Sequence, residues 1–107
     1  MKRGEIWTLQ DHAYASKARP VIVIQSEEIT SFDSVILCLL TTYDSSELSN
    51  RVYICPSETN QLHEPSYAMT DKIVTVRKTM LGKHIGNLNA SDLQKIDIQL
   101  KRVLGLK

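Results

Sequence analysis

The chain has 107 residues with 13 basic and 12 acidic side chains, a formal net charge of +1, so bulk coating of a polyanion is excluded and any nucleic-acid affinity must come from a local cluster of Lys and Arg. That length closes one hydrophobic core without help from a metal or a disulfide, and a single domain spanning residues 1–107 is expected. The longest apolar run, Val35 to Leu40, is far short of the roughly 20 residues a membrane span requires, and no signal peptide is evident, so a soluble cytoplasmic protein is expected.

Glu5-Ile6-Trp7-Thr8-Leu9 mixes polar and apolar residues at near-alternating spacing, with β-branched and aromatic members, and reads as a first, half-buried strand. Gln10 to Ala18 reads as a loop. Pro20 to Gln25 and Ser34 to Thr41 are nearly continuous apolar runs rich in Val, Ile and Leu, the pattern of central strands covered on both faces. Between them, Ser26 to Asp33 carries capping-type residues with room for one helical turn. Tyr43 to Asn50 is a polar, Ser-rich loop. Arg51 to Cys55 resumes the alternation until Pro56 ends it. After a second loop, Ser57 to Glu64, the run Pro65 to Met69 leads into a strand at Asp71 to Val76. A helical turn fits Arg77 to Leu81, and a last short strand fits His84 to Leu88. Asn89 can cap a helix with Asp92 in its first turn, and Leu93, Ile96, Leu100, Val103 and Leu104 share one helical face until Gly105 stops it. Ile98 lies off that stripe, where it can serve a dimer contact. Cys38 and Cys55 sit in apolar strand-like runs without metal-ligand spacing and read as buried thiols in a reducing compartment. Six or seven short strands followed by one amphipathic helix give a mainly β fold, a small, strongly curled antiparallel barrel with a C-terminal α-helix packed on it.

Arg19-Pro20 places a permanent cation at the mouth of a buried strand. Its guanidinium offers a planar fork of donors matched to phosphate, although the same dipeptide also suits an ordinary surface arginine. Several segments together resemble the MazF/PemK family of ribonuclease toxins from toxin–antitoxin pairs. They are Arg3-Gly4-Glu5-Ile6-Trp7, Arg19 through Gln25, Ser34 through Thr42, Asp71 through Val76, Gly86-Asn87-Leu88, and the helix end Leu104-Gly105-Leu106. The resemblance covers almost the whole chain. It implies an SH3-like, CcdB-like barrel that forms homodimers, cleaves single-stranded RNA without a metal or other cofactor, and is held inactive by a cognate antitoxin. That antitoxin is expected to be a disordered acidic peptide that orders on binding a basic groove.

The family's active-site arginine falls on Arg19 and its threonine on Thr41, both at strand ends beside loops. Thr42 is a poorer substitute, because a shift of one residue turns its hydroxyl to the other face. Two departures narrow the site. Met69 stands where some relatives carry arginine and Val74 where arginine is often seen, and the loop before Arg19 is shorter than in many members and lacks their Glu-Gln. Cleavage through the ribose 2′-hydroxyl needs a proton acceptor, a donor for the leaving 5′-oxygen, and positive charge at the phosphate, and would leave a 2′,3′-cyclic phosphate and a 5′-hydroxyl. Arg19 fits the charge and Thr41 a further phosphoryl contact. His12, in the loop leading to Arg19, is the candidate acid or base, ahead of His63 and His84. Lys17, Lys72, Arg77 and Lys78 are candidates for a phosphate track, with Tyr14, Tyr43 or Tyr67 for stacking on bases, and Asp71 can orient Arg19 or Lys72 or merely cap a strand. Two other functions suit the same fold: a gyrase poison acting through an exposed C-terminal helix, and a binding module without toxicity.

Overall fold

The computed structural model describes residues 1–10, 18–29 and 32–107, and in them six strands precede one long helix. The strands are β1 (Glu5–Leu9), β2 (Arg19–Val23), β3 (Ser34–Thr41), β4 (Arg51–Ile54), β5 (Ser66–Arg77) and β6 (Leu81–Asn87), and the helix is α1 (Ala90–Leu104). All pairings are antiparallel, in the order β4-β5-β3-β2-β1-β6. The two most apolar strands, β2 and β3, therefore lie inside the sheet with neighbours on both sides, as their composition predicts.

Period-two alternation sends successive side chains to opposite faces, and both faces are covered. Ile6 stands opposite Ile22 and Ile22 opposite Cys38. This row packs with Leu40, Ile54 and Ala68 beneath Ile96 and Leu100 of α1. The other face gathers Leu9, Val21, Val23, Val35, Leu37 and Val76, edged by half-buried Trp7, Leu39, Met80 and Leu81. The helix has the expected ends. The Asn89 side chain accepts the Asp92 N–H at 2.7 Å, and Gly105 takes the left-handed conformation at φ 71°. Ile96 and Leu100 are buried, whereas Val103 and Leu104 are exposed.

β5 has a break in register that the sequence does not announce. Cys38 pairs with Ile73 but the next residue, Leu39, pairs with Met69, so Thr70, Asp71 and Lys72 loop out between consecutive rungs. The bulge has its own fastenings: Thr70 Oγ1 donates to the Asn50 carbonyl at 2.6 Å, Asn50 Nδ2 donates to Asp71 Oδ1 at 2.7 Å, and Arg51 faces the same carboxylate at 3.6 Å. On its N-terminal side β5 is shared between β3 and β4; beyond the bulge only β3 pairs with it.

Several boundaries differ from the sequence reading. The two segments expected around Thr70 are one strand, because the bulge is accommodated within it. The final strand begins at Leu81, directly after a 3-10 turn at Lys78–Met80. Between β2 and β3 the described residues hold a turn closed by the Ile29 N–H on the Ser26 carbonyl at 3.1 Å, with no helix among them. Cys38 is buried and its thiol is pushed up to about 12, first by loss of hydration and then by Asp71. Cys55, expected to be buried, is exposed. In the edge strand β4, burial of Val52 and Ile54 sends Tyr53 and Cys55 outward.

Candidate active site

Strand β2 begins where β3 ends. Val21 pairs with Leu39, and carrying that antiparallel register two residues further sets Arg19 opposite Thr41, with both side chains on one face. Arg19 also faces Leu9 of β1, and Thr41 faces Tyr67 of β5. Arg19 and Thr41 line a pocket of about 90 Å³ with Leu9, Pro20, Val21, Leu39, Leu40 and Met69. Its walls are thus mainly apolar, with a cation and a hydroxyl at the mouth. An anion entering it exchanges part of its water for those two groups, and in such partly dried surroundings their attraction is stronger than in bulk solvent.

The side chains at this end are oriented by short local bonds. Thr41 Oγ1 accepts the Tyr43 backbone N–H at 3.1 Å, a turn favoured by Ser and Thr. Because that N–H occupies an oxygen lone pair, the hydroxyl keeps its own hydrogen to donate. The Arg19 side chain is exposed, and among the described residues no hydrogen bond or ion pair engages its guanidinium. Met69 lines the pocket with a thioether chain. Thr42 faces the other way, into a cavity of about 290 Å³ shared with Thr8, Ala18, Pro20 and His63.

The remaining candidates scatter. His12, Tyr14 and Lys17 lie outside the described residues. Lys72 is exposed on the β5 bulge. Asp71 does not reach Arg19; it accepts from Asn50 and pairs with Arg51, where it secures the bulge. Arg77 pairs with Ser34, at the opposite end of β3 from Thr41, and Lys78 follows it, so both lie roughly 23 Å along the strand from the pocket. They line a separate surface cavity with Asp33 and Thr79. His84 stacks on Trp7 with ring centroids 5.3 Å apart, and its Nε2 sits 3.0 Å from the Gly86 carbonyl and 3.1 Å from Asn87 Oδ1. These contacts tie the ring to its own strand, which gives His84 a role in holding β6.

Sequence reasoning gave His63 little weight, yet the loop Ser57 to Glu64 folds back toward the start of β2. Asn60 organises that return. Its Oδ1 accepts the Ser57 and Leu62 N–H groups at 2.9 and 3.0 Å, and its Nδ2 donates to the Cys55 carbonyl at 2.9 Å. Gly86 lies against the same loop, where an added Cβ would run into the Asn60 carbonyl. The loop composition alone carries no signal for this contact.

At Tyr67 a further connection emerges. Its phenol donates to Asp44 Oδ1 at 3.0 Å, and the same oxygen accepts the Ser46 N–H at 3.1 Å. The Ser46 N–H, then the Ser46 side chain and Tyr67, hold the Asp44 carboxyl below its ordinary range. Loss of hydration, followed by the Asp44 carboxylate, pushes the Tyr67 phenol up.

Comparison with known proteins agrees with this architecture. Residues 2–104 match the model of the family described as PemK-like, MazF-like toxin of type II toxin-antitoxin system. A probable endoribonuclease MazF of Mycolicibacterium smegmatis is 34% identical over 107 residues, covering 99% of this chain and 98% of the relative. Endoribonuclease MazF6 of Mycobacterium tuberculosis is 33% identical over 94 residues, with 85% and 82% covered. A solved mycobacterial endoribonuclease in complex with its cognate antitoxin superposes with a TM-score of 0.84 at 26% identity, over 100% of this chain and 97% of that one. The chain therefore belongs to the PemK-like, MazF-like family of toxins from type II toxin–antitoxin systems.

Proposed function

We propose that the protein is the toxin of a type II toxin–antitoxin pair and works as a sequence-selective, metal-independent endoribonuclease on single-stranded RNA. The observation that carries this reading is the pocket shared by Arg19 and Thr41, formed where β2 begins and β3 ends. A scissile phosphate seated there receives two donors from the planar Arg19 fork and a third from the Thr41 hydroxyl. The ribose 2′-oxygen attacks phosphorus while its proton passes to a base. The bond to the 5′-oxygen breaks and that oxygen takes a proton, leaving a 2′,3′-cyclic phosphate and a 5′-hydroxyl. Charge grows on the non-bridging oxygens as the pentavalent state forms, so the cation and hydroxyl bind that state more tightly than the ground state. His12 in the loop before Arg19 is the proposed proton carrier, and Lys17, Lys72 and Tyr14 are proposed to bind RNA. Arg77 and Lys78 would meet only a strand several nucleotides long.

Relatives named as endoribonucleases, and one solved with its cognate antitoxin, support the substrate class and the protein partner. A homodimer is supported by the apolar surface of Ile24, Ile36, Ile73, Leu104 and Leu106, which lines a groove of about 550 Å³ beside Arg3 and Asp97. One toxin domain covering the chain, acting in the cytoplasm, completes the reading. The test is incubation of purified protein with labelled single-stranded RNA in EDTA, with the cut ends mapped. Cleavage to cyclic-phosphate ends, lost in Arg19→Ala, is expected. No cleavage across varied sequences would reject the activity, and undiminished cleavage by Arg19→Ala would remove the site.

A further inference from the structure

The register that joins Arg19 to Thr41 continues outward across the sheet. Leu9 pairs with Arg19, Thr41 with Tyr67, and Tyr67 with Tyr53 on the edge strand β4. The β2–β3 ladder is paired as far as Val21 and Leu39, and its register carried two residues on sets Arg19 in line with Thr41, so the five residues follow one row on one face. The two tyrosine rings are in contact, with centroids 5.4 Å apart and planes inclined at 58°. They differ in what they leave accessible. Tyr67 is partly covered and pinned through its phenol to Asp44, whereas Tyr53 is 49% exposed at the sheet edge. A tilted pair with one member anchored presents the other ring as an apolar plane on the same face as the cation and hydroxyl, two strands beyond Thr41.

We infer that Tyr53, held by Tyr67, is a stacking platform for the nucleobase flanking the phosphate at Arg19 and Thr41; this rests on the endoribonuclease reading. Neighbouring strands are about 4.8 Å apart, so Tyr53 stands roughly 10 Å from Thr41, about the reach from a phosphate through its ribose to a splayed base. An exposed aromatic ring on a sheet face, backed by a second ring and in line with a phosphate-binding group, is the arrangement by which sheets receive unpaired bases. Every base has a π-face, so the platform adds affinity and sets the path of the strand with little choice of sequence. The bond to Asp44 fixes Tyr67 before RNA arrives, which lowers the ordering cost of binding. A protein partner would also find this surface, but the row leads directly from a phosphate site to an aromatic plane, and that sequence of chemistries is a nucleotide's.

The experiment uses the full chain and an oligonucleotide bearing the mapped cleavage sequence, with a 2′-O-methyl group at the attacking ribose to prevent cutting and 2-aminopurine at the flanking base. Wild type is expected to bind and alter the 2-aminopurine emission. Tyr53→Ala and Tyr53→Leu should each bind about tenfold more weakly or worse, with the emission change lost, and Tyr53→Phe should match wild type. On cleavable RNA, KM should rise in both non-aromatic variants while kcat stays within a few-fold. Thermal unfolding of each variant reports whether it is folded, and Tyr53→Leu retains an apolar side chain on the strand. Wild-type cleavage with unchanged affinity and emission in Tyr53→Leu would overturn the platform and leave the endoribonuclease reading intact. Absence of cleavage and binding by wild type would overturn both. Unchanged RNA binding with an altered oligomeric state in sedimentation would assign the pair to a protein contact and overturn the proposal.

Discussion

Thr41 Oγ1 accepts the backbone N–H of Tyr43 at 3.1 Å, and this contact orients the hydroxyl: one lone pair is engaged within its own turn and the proton is free to give. A group so placed stabilises a phosphoryl oxygen and is a poor base. Thr41→Ser keeps both the turn and the donor and should retain cleavage within a few-fold. Thr41→Val keeps the shape but loses both, and kcat should fall about 10²-fold, the scale for one donor to developing charge. Single-turnover cleavage rates compare the two.

Arg19 has the geometry of a fork, not merely a charge. Arg19→Lys preserves the charge but replaces two parallel donors with a single mobile ammonium, and both side chains are long enough to reach the pocket mouth. The expected result is a fall of about 10²-fold in kcat/KM, closer to Arg19→Ala than to wild type, read in the same cleavage assay.

The Asp44 and Tyr67 pair gives a titration with a definite sign. The Asp44 carboxyl is held below its ordinary 3.8, so its contribution to stability is present above that value and is lost as pH falls through the lower folded one. The Tyr67 phenol is raised above its ordinary 10.0, so its contribution is present below that value and is lost as pH rises through the higher folded one. The contact therefore persists across the neutral range. Carbon-detected NMR of the Asp44 carboxyl should show a midpoint below the ordinary value. Tyr67→Phe should move that midpoint only partway back, because the Ser46 N–H is the larger cause.

Asn60 is buried and serves three backbone groups of its loop. Asn60→Ala strands two N–H donors and one carbonyl, and should cost about 2–4 kcal/mol, since each unsatisfied buried group costs about 1–3 kcal/mol and such losses are not additive. Asn60→Asp keeps the two acceptor bonds but replaces the donor to Cys55 with an oxygen that repels its carbonyl, so it too should destabilise. Urea unfolding midpoints at constant slope measure both.

The order of strands along the chain, the central place of β2 and β3, and both ends of α1 follow from patterns local to the sequence. Continuous Val, Ile and Leu runs require cover on both faces, and Asn89 and Gly105 satisfy backbone groups within one turn. Arg19 and Thr41 were legible as strand-end residues, and the family resemblance singled them out. Their convergence on one pocket depends on the register between β2 and β3, which brings together residues 22 positions apart and which no local pattern encodes. The same is true of the bulge at Thr70 to Lys72, which draws Asp71 away from Arg19 toward Arg51. Exposure of Cys55 and Tyr53 required knowing that β4 is an edge strand. Sequence periodicity says which residues share a face; only strand pairing says whose face they share, and it is pairing that lines up a cation, a hydroxyl and two tyrosines in one row.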